Sequence, residues 1–468
     1  MRALGKHRIG TDGGDLARGG QKGGLKKALE GEVLAEVEAL IGRDARGEID
    51  LEALEVAARR EALRIAALAI AQRLNADHSD GAETTLACAC GQSARRVERR
   101  EKSFTCALGT LRLNRAYYHC AKCKTGFCPR DRELGLEGTS LSPAVTRMVG
   151  LVASMNSFKE SSELMRELAG VRVDAKQVER TAEALGVELA DDERRFIEPL
   201  EVDPVAPTLY LGVDGTGVPM RKSELQGCTG KQADGTSKTR EVKLCVIWSA
   251  ELRDKEGRPT RDPGSVSYTA AIESAAQHDT DDVPSDFAAR MLREAARRRF
   301  GQAPRRVVIG DGAKWVWNVA DLHFPEAIQI VDLFHAKQHL SELATAIYGP
   351  GSDLGKQWAT LRHDDLDQGR FDELLEAIRT HAAANEEARK NLDYFTRNRH
   401  RMRYPSFRAM GLCVGSGVVE AGCKTVVGTR LKRPGMHWTV RGADAILALR
   451  SAKLSARFQD FWERRAAA

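Results

Sequence analysis

The chain has 468 residues, of which 42% are hydrophobic and 29% are charged, and its formal net charge is +6. This length allows two to four domains with separate cores, and this composition excludes a wholly disordered chain. No apolar run approaches the roughly 18 residues of a membrane span, and the N-terminus shows no signal-peptide pattern. We therefore expect a cytoplasmic protein without a membrane partner, whose ten cysteines are thiols or metal ligands rather than disulfides.

The first 80 residues contain no motif with evident chemistry. Residues 1–26 are rich in glycine, lysine and arginine, which predicts a flexible basic tail. Residues 27–80 place apolar side chains at helical spacing, as at Leu34, Val37 and Leu40, which predicts N-terminal amphipathic helices. Helices of this kind either pack internally or pair two copies of a chain.

Six cysteines lie within residues 85–135, on either side of a predicted strand pair. A pair of cysteines, a β-hairpin and a second pair form the zinc ribbon, in which a metal replaces a large core. We therefore predict a zinc-ribbon-like module that binds Zn²⁺ through Cys88, Cys90, Cys120 and Cys123. Cys106 and Cys128 are close enough in sequence to replace a ligand. The alternative is that the thiols are buried as small hydrophobic side chains.

The same module is strongly basic. Residues 91–130 contain ten lysines or arginines and only two glutamates. Clustered positive charge of this kind is typical of surfaces that contact phosphate backbones. We predict that the module binds DNA, with Arg95 and Arg115 among the contacts.

Residues 140–190 contain three helical patterns, with a short turn at Gly170 and a helix cap at Asp174 before the third. This arrangement is typical of a helix-turn-helix, whose last helix lies in a DNA groove. The side chains that the last helix would present to DNA are Lys176, Gln177 and Arg180. Any compact three-helix bundle gives the same pattern.

Between residues 205 and 460, apolar strands alternate with helices, and three of the strands end on Asp214, Asp311 and Asp332. A single Asp-Gly pair would only cap a turn, but the repetition favours a site at the sheet edge, where ligands bind in open α/β sheets. Three antiparallel strands followed by alternating helix and strand predict an α/β, RNase H-like catalytic domain. A charged helical block is inserted at about 352–400.

One more carboxylate lies in a basic segment. Between Tyr394 and Ala443 there are ten lysines or arginines and a single acid, Glu420, about one turn into a helix that Ser416 caps. Glu420 forms either a structural salt bridge to one of these arginines or a metal site together with Asp214 and Asp311. Three carboxylates that hold two Mg²⁺ ions, or Mn²⁺, form a clamp for in-line displacement at phosphorus. The predicted catalytic and metal-binding residues are Asp214, Asp311 and Glu420.

Other side chains are candidates for the edge of this site. Asp332 and His335 either support the carboxylates or contact DNA. His335 and His339 have the i, i+4 spacing of a zinc pair, but we favour an ordinary helical role for His339 and a site-edge role for His335. Trp438 either stacks on an unpaired base or lies in the core. The basic residues predicted to contact DNA here are Lys238, Arg240, Lys424, Arg430 and Lys432.

Longer motifs surround these residues. They are Val213-Asp214-Gly-Thr-Gly-Val-Pro-Met, Gly230-Lys-Gln-Ala-Asp-Gly-Thr-Ser-Lys-Thr-Arg-Glu-Val-Lys243, Ile309-Gly-Asp311-Gly-Ala, Ile330-Val-Asp332-Leu-Phe-His335-Ala, Gly415-Ser-Gly-Val-Val-Glu420-Ala-Gly-Cys-Lys and Trp438-Thr-Val-Arg-Gly-Ala. Over roughly residues 85–455 the chain resembles bacterial insertion-sequence transposases of the ISKra group, in the Mutator-like DDE class. The resemblance implies that Asp214, Asp311 and Glu420 are the DDE triad, and that Asp332 and His335 match the Asp-x-x-His element.

We therefore predict a DNA transposase, a polynucleotidyl transferase that binds terminal inverted repeats. It would hydrolyse the phosphodiester at the element's 3′ end and join the freed 3′ hydroxyl to target DNA. Because two ends must meet, we expect a homodimer or a higher synaptic assembly on double-stranded DNA in the bacterial nucleoid. The alternatives are an RNase H-fold nuclease or junction resolvase without strand transfer, and a domesticated, non-catalytic DNA-binding regulator.

Overall fold

The computed structural model describes residues 50–197, 204–228, 235–275 and 283–467, with the single positions 31, 34, 35, 38 and 199. The predicted basic tail, most of the chain before residue 50 and part of the 230–243 motif lie outside the described residues. The chain divides into two compact units, residues 1–149 with 158–178, and residues 150–157 with 179–468. Within the described part, no helix is both long enough and apolar enough to cross a membrane.

The first unit is built on a long β-hairpin. Helix α1 (Leu51–Ala76) begins at Asp50, whose side chain accepts a hydrogen bond from the Ala53 backbone N–H at 3.1 Å. An antiparallel sheet in the order β1–β2–β3–β4 follows. Its strands are Thr85–Ala87, Ser93–Cys106, Gly109–His119 and Gly126–Phe127. One face of the hairpin packs on α1 through a small core that contains Ala67, Phe104, Leu111 and Leu113.

A short helix, α2 (Pro129–Glu133), leads to α3 (Pro143–Met155), α4 (Phe158–Ala169) and α5 (Ala175–Arg195). These three longer helices lie at the predicted positions, but α5 runs about three turns further than the sequence pattern suggested. The reason is that Leu185 and Leu189 continue the buried stripe of the helix at i, i+4 spacing. Glu188, between these two leucines, is exposed to solvent.

The second unit contains a five-stranded mixed sheet in the order β11–β10–β5–β6–β9. Strands β5, β6 and β9 are antiparallel neighbours, whereas β10 and β11 run parallel to β5. A two-stranded ribbon, β7–β8, lies outside this sheet. The strands are β5 Thr208–Pro219, β6 Thr239–Ser249, β7 Leu252–Arg253, β8 Pro259–Thr260, β9 Ser267–Ala271, β10 Arg305–Gly310 and β11 Ile328–Val331. The mixed α/β architecture that the sequence predicted is therefore confirmed.

The helices of the second unit alternate with these strands or follow them along the chain. The predicted helical block at about 352–400 contains three helices, α9 to α11, each with an apolar stripe at helical spacing. A π-helical turn at Cys423–Gly428 separates α13 from α14. The helices are α6 Asp286–Arg297, α7 Lys314–His323, α8 Leu333–Tyr348, α9 Asp353–Gln368, α10 Phe371–Ala382, α11 Glu386–Asn398, α12 Tyr404–Ala409, α13 Gly417–Gly422, α14 Thr429–Leu431, α15 Val440–Leu454 and α16 Phe458–Ala467.

A buried ion-pair network connects Arg457, between α15 and α16, to one residue of α5 and one of α6. Arg457 lies between Glu193 at 3.1 Å and Glu294 at 3.0 Å, and all three side chains are almost completely enclosed. Burying an ion is costly unless its partners are present. This network therefore requires all of its members.

Candidate active site

Asp214 and Asp311 stand next to each other at one edge of the sheet. Strand β10 pairs in parallel with β5, from Arg305 opposite Thr208 to Ile309 opposite Gly212. Continuing this register by two residues places Asp311 beside Asp214. The neighbouring backbone orients both carboxylates, because Asp214 accepts a hydrogen bond from the Gly215 N–H at 2.7 Å and Asp311 accepts one from the Ala313 N–H at 2.9 Å.

The charges of these two carboxylates are poorly compensated. Burial raises the pKa of Asp214 above its ordinary value, and the negative charge of Asp311 acts in the same direction. Within the described ranges, no salt bridge involves either aspartate. Two half-buried carboxylates without a basic partner are favourable ligands for a cation, and their oxygens suit hard ions such as Mg²⁺.

The predicted supporting residues lie at the same edge. The Asp332 backbone N–H donates to the Gly310 carbonyl at 2.8 Å, directly before Asp311. The buried Asp332 side chain caps α8 by accepting from the His335 N–H at 2.7 Å, and it also accepts from the Ser416 N–H. Asp332 thus joins the start of α8 to the loop that leads into α13.

Helix α13 packs unusually close to the sheet because of two glycines. A Cβ at Gly212 would lie 2.2 Å from Val419 Cγ2, and a Cβ at Gly422 would lie 3.0 Å from Leu244 Cδ2. This approach brings the Cys423 thiol to Asp214, where it donates a hydrogen bond to Oδ2 at 3.3 Å. Our reading of the sequence assigned no role to Cys423, although it follows Glu420 by three residues, the spacing of neighbours on one helical face.

Glu420 faces solvent in this conformation. Its side chain is 66% exposed, and its carboxylate accepts a hydrogen bond from Lys424 Nζ at 2.7 Å. Glu420 therefore forms a salt bridge, the alternative to metal binding that the sequence offered, but with Lys424 and not with an arginine. Among the described residues, only one group of three or more potential metal ligands lies within 4.8 Å, and it does not contain Asp214, Asp311 or Glu420. The two aspartates are thus adjacent, and the glutamate is about one helical turn from the thiol that contacts Asp214.

The group of described residues whose potential ligand atoms lie within 4.8 Å of one another consists of four cysteines in the first unit. The sulfur atoms of Cys88 and Cys123 are 3.6 Å apart, those of Cys90 and Cys120 are 3.7 Å apart, and all four lie within 4.8 Å of one another. Sulfurs bound to one tetrahedral Zn²⁺ lie about 3.8 Å apart. These four cysteines can therefore hold a metal ion and are compatible with zinc, whereas Cys106 and Cys128 stand outside the group.

The predicted DNA contacts do not share one environment. Arg115 is held by Asp131 at 2.6 Å, and Gln177 donates to the Ser140 hydroxyl at 2.8 Å. Arg240 is half-buried. Lys432 donates to the Thr216 hydroxyl, two residues beyond Asp214. The contacts that are exposed to solvent are Arg95, Lys176, Arg180, Lys238, Lys424 and Lys432.

Two of the predicted DNA contacts are internal residues. Arg430 is completely buried, donates to the Ala153 carbonyl at 3.0 Å and lies 5.1 Å from the Trp438 ring. Trp438 is 6% exposed, and its Nε1–H donates to the Leu431 carbonyl at 2.9 Å. The core role that the sequence left open for Trp438 is the one observed. We therefore remove Arg430 and Trp438 from the DNA-contacting residues, because neither presents its polar atoms to the surface.

Comparisons with known proteins place the chain in a family. Among solved structures it is similar to one titled "Drosophila P element transposase strand transfer complex", with 10% sequence identity, coverage of 72% of this chain and 84% of that chain, and a TM-score of 0.25. A score this low supports no inference about fold or activity. A search of curated proteins finds no match. The model of the "Uncharacterised protein family (UPF0236)" matches residues 93–460, and the chain therefore belongs to this family.

Proposed function

We propose that the protein is a DNA transposase and that Asp214, Asp311 and Glu420 are its catalytic carboxylates. One observation carries the proposal. Asp214 on β5 and Asp311 directly after β10 are neighbours in the parallel register, neither has a salt bridge within the described residues, and Asp214 contacts Cys423, which directly follows the helix that bears Glu420. The resemblance to ISKra-group insertion-sequence transposases, which rests on motifs around the same three residues, supports it.

The topology of the second unit supports an RNase H-like catalytic domain. Three antiparallel strands are followed by two strands parallel to the first, with helices between them. In such a sheet, side chains at the carboxyl ends of parallel strands share one edge, and a following helix can add a further residue. The block α9 to α11 lies between the last strand and the Glu420 helix, as an insertion would.

The three carboxylates would hold two Mg²⁺ ions, or Mn²⁺, which supply the charge that stabilises the attacking and leaving oxygens at phosphorus. Asp214 and Asp311 contribute oxygens that the sheet and the backbone hold in place. To join them Glu420 would have to leave Lys424, which costs little, because an exposed i, i+4 ion pair contributes only about 0.3–0.5 kcal/mol. Lys424 is then released to contact a DNA phosphate.

The chemistry consists of two displacements at phosphorus. Water attacks the phosphodiester at the element's 3′ end, and the 3′ oxygen leaves and takes up a proton. That 3′ hydroxyl then attacks a target phosphodiester, whose own 3′ oxygen leaves. We propose that the zinc-ribbon-like module and the helix-turn-helix bind the terminal repeats, and that two chains hold the two ends together.

The test uses the full chain, duplex oligonucleotides carrying the terminal repeats and a supercoiled target plasmid. With Mg²⁺, joining of the 3′ hydroxyl end to the plasmid indicates a transposase, whereas cleavage without joining indicates a nuclease. We expect Asp214→Asn, Asp311→Asn and Glu420→Gln each to lower joining at least about 10³-fold. Asp393→Asn is the matched control, because it removes another exposed i, i+4 ion pair, that with Arg397 at 3.2 Å.

Metal binding is measured in parallel by Mn²⁺ titration calorimetry. The parent should bind Mn²⁺, and both aspartate variants should bind it more weakly at an unchanged melting temperature. The proposal is overturned if the aspartate variants bind Mn²⁺ as the parent does, or if they join DNA as well as the Asp393→Asn control. Cleavage without joining by the parent would replace the transposase with the nuclease.

A further inference from the structure

The inserted helical block contacts the loop that carries Asp311. Tyr394 lies on α11, the last helix of the block, and is 9% exposed. Its hydroxyl donates a hydrogen bond to the main-chain carbonyl of Asp311 at 2.9 Å. A buried tyrosine hydroxyl needs a polar partner, and here that partner is the peptide of a proposed catalytic residue.

The next residue in the loop is shaped to receive this side chain. Gly312 has a φ of +91°, in the region that glycine tolerates and other residues avoid. A Cβ at Gly312 would lie 2.6 Å from the Tyr394 Cε2 atom and 2.6 Å from its hydroxyl. The ring therefore packs directly on the loop backbone, and both the backbone conformation and the space require glycine.

Tyr394 also contacts a residue of α8. The His339 ring stacks on it, with 4.3 Å between the ring centroids and an angle of 20° between the planes. His339 belongs to α8, the helix that Asp332 caps, and its ring lies 5.1 Å from that of His335. The tyrosine is thus held between α8 and the Asp311 loop and has little room to change its rotamer.

We propose that Tyr394 is a positioning residue that fixes the Asp311 carboxylate, and that the inserted block thereby contributes to the active site without contacting the substrate. This inference rests on the proposed function. The Asp311 carboxylate is oriented by one short local hydrogen bond, from Ala313, so its direction depends on the peptide that Tyr394 holds. The residues of a catalytic site must be held within about 0.5 Å of their working positions. A surface loop does not hold a carboxylate this closely without support from another element.

The test is Mn²⁺ titration of the full chain, with thermal melting of each variant. Tyr394→Phe keeps the ring and removes one hydrogen bond, and should weaken Mn²⁺ binding about 3- to 10-fold. Gly312→Ala must displace the ring or the loop, and should weaken it about 100-fold. In the joining assay, both variants should lower kcat and leave the KM for DNA near that of the parent.

Tyr348→Phe is the matched control. It removes the 3.3 Å hydrogen bond between the Tyr348 hydroxyl at the end of α8 and His381 Nε2 on α10. If Tyr394 is only structural, the two tyrosine variants will lose similar amounts of thermal stability and leave Mn²⁺ affinity unchanged, and the inference is wrong. Asp311→Asn separates the two hypotheses. If it too leaves Mn²⁺ affinity unchanged, the proposed function itself fails, whereas a loss with Asp311→Asn alone overturns only the role of Tyr394.

Discussion

Alanine in place of Gly212 is expected to push the Glu420 helix away from the sheet. The new Cβ would lie 2.2 Å from Val419 Cγ2 and 2.9 Å from Trp248 Cζ3. Carbon atoms in contact prefer about 3.5–4.0 Å, so that Val419 must move by about 1.5 Å. Trp248 cannot give way, because it is fully buried and stacked on Tyr210 with ring centroids 5.3 Å apart. The displacement therefore falls on α13.

The effect on activity should exceed the effect on stability. Overpacking a core typically costs about 1–3 kcal/mol, and a domain stable by about 5–15 kcal/mol remains mostly folded after that loss. A displacement of about 1 Å at a catalytic group can cost about 100-fold in rate. We therefore expect Gly212→Ala to join DNA at least about 100-fold more slowly, with a melting temperature lower by only a few degrees.

The assay is plasmid joining by the purified full chain, together with thermal melting. Gly417→Ala is the control on the same helix, since nothing lies within 4 Å of a Cβ there, and it should behave like the parent. Val419→Ala in the Gly212→Ala background removes the closer of the two clashes, at 2.2 Å, and leaves the one with Trp248 at 2.9 Å, so it should restore part of the joining. The reasoning is refuted if Gly212→Ala joins DNA like the parent, or if the second substitution makes the loss worse.

Three further predictions concern stability and metal content. Burial raises the pKa of Asp444 from its ordinary 3.8 to about 6, which at about 1.36 kcal/mol per unit costs the folded state about 3 kcal/mol once this carboxylate is ionised. The stability that this raised pKa contributes is complete below about pH 4, where the carboxyl group is protonated, and is lost as the pH rises through 6, where the folded protein must ionise it. Asp444→Asn should therefore be more stable than the parent at pH 8 in urea unfolding and equal to it at pH 4. Equal stability of the two proteins at pH 8 would contradict the pKa assignment. Elemental analysis should find about one Zn²⁺ per chain in the parent and in Cys128→Ser but none in Cys120→Ser, and zinc retained by Cys120→Ser would exclude the four-cysteine site. Arg457→Met removes the ion-pair partner of the buried Glu193 carboxylate and leaves Glu294 only its pair with Arg297 at 3.4 Å, so it should lower the unfolding free energy by about 3–5 kcal/mol; a loss below about 1 kcal/mol would show that the network is not essential.

Features that depend on local spacing could be predicted from the sequence. The apolar runs before Asp214 and Asp311 were visible as strands, and parallel pairing of these strands made the proximity of the two aspartates expected. The predicted strand end at Asp214 was wrong, because β5 stays paired with β6 as far as Pro219. The four cysteines were expected to meet because two close pairs flank one hairpin, and they do lie together. The helical block was visible from its 3.6-residue periodicity.

The environment of a side chain, by contrast, was decided only by the tertiary structure. A basic residue in a basic segment has the same local pattern whether it faces DNA or lies in the core, so the burial of Arg430 could not be predicted. Glu420 has a competing partner one helical turn away in Lys424, and local spacing does not reveal which partner it takes. Tyr394 and Asp311 are 83 positions apart, and such contacts arise only when the chain packs. Local periodicity and turn chemistry thus determined the elements and the candidate carboxylates, whereas long-range packing decided which side chains meet, because burial depends on neighbours that are remote in sequence.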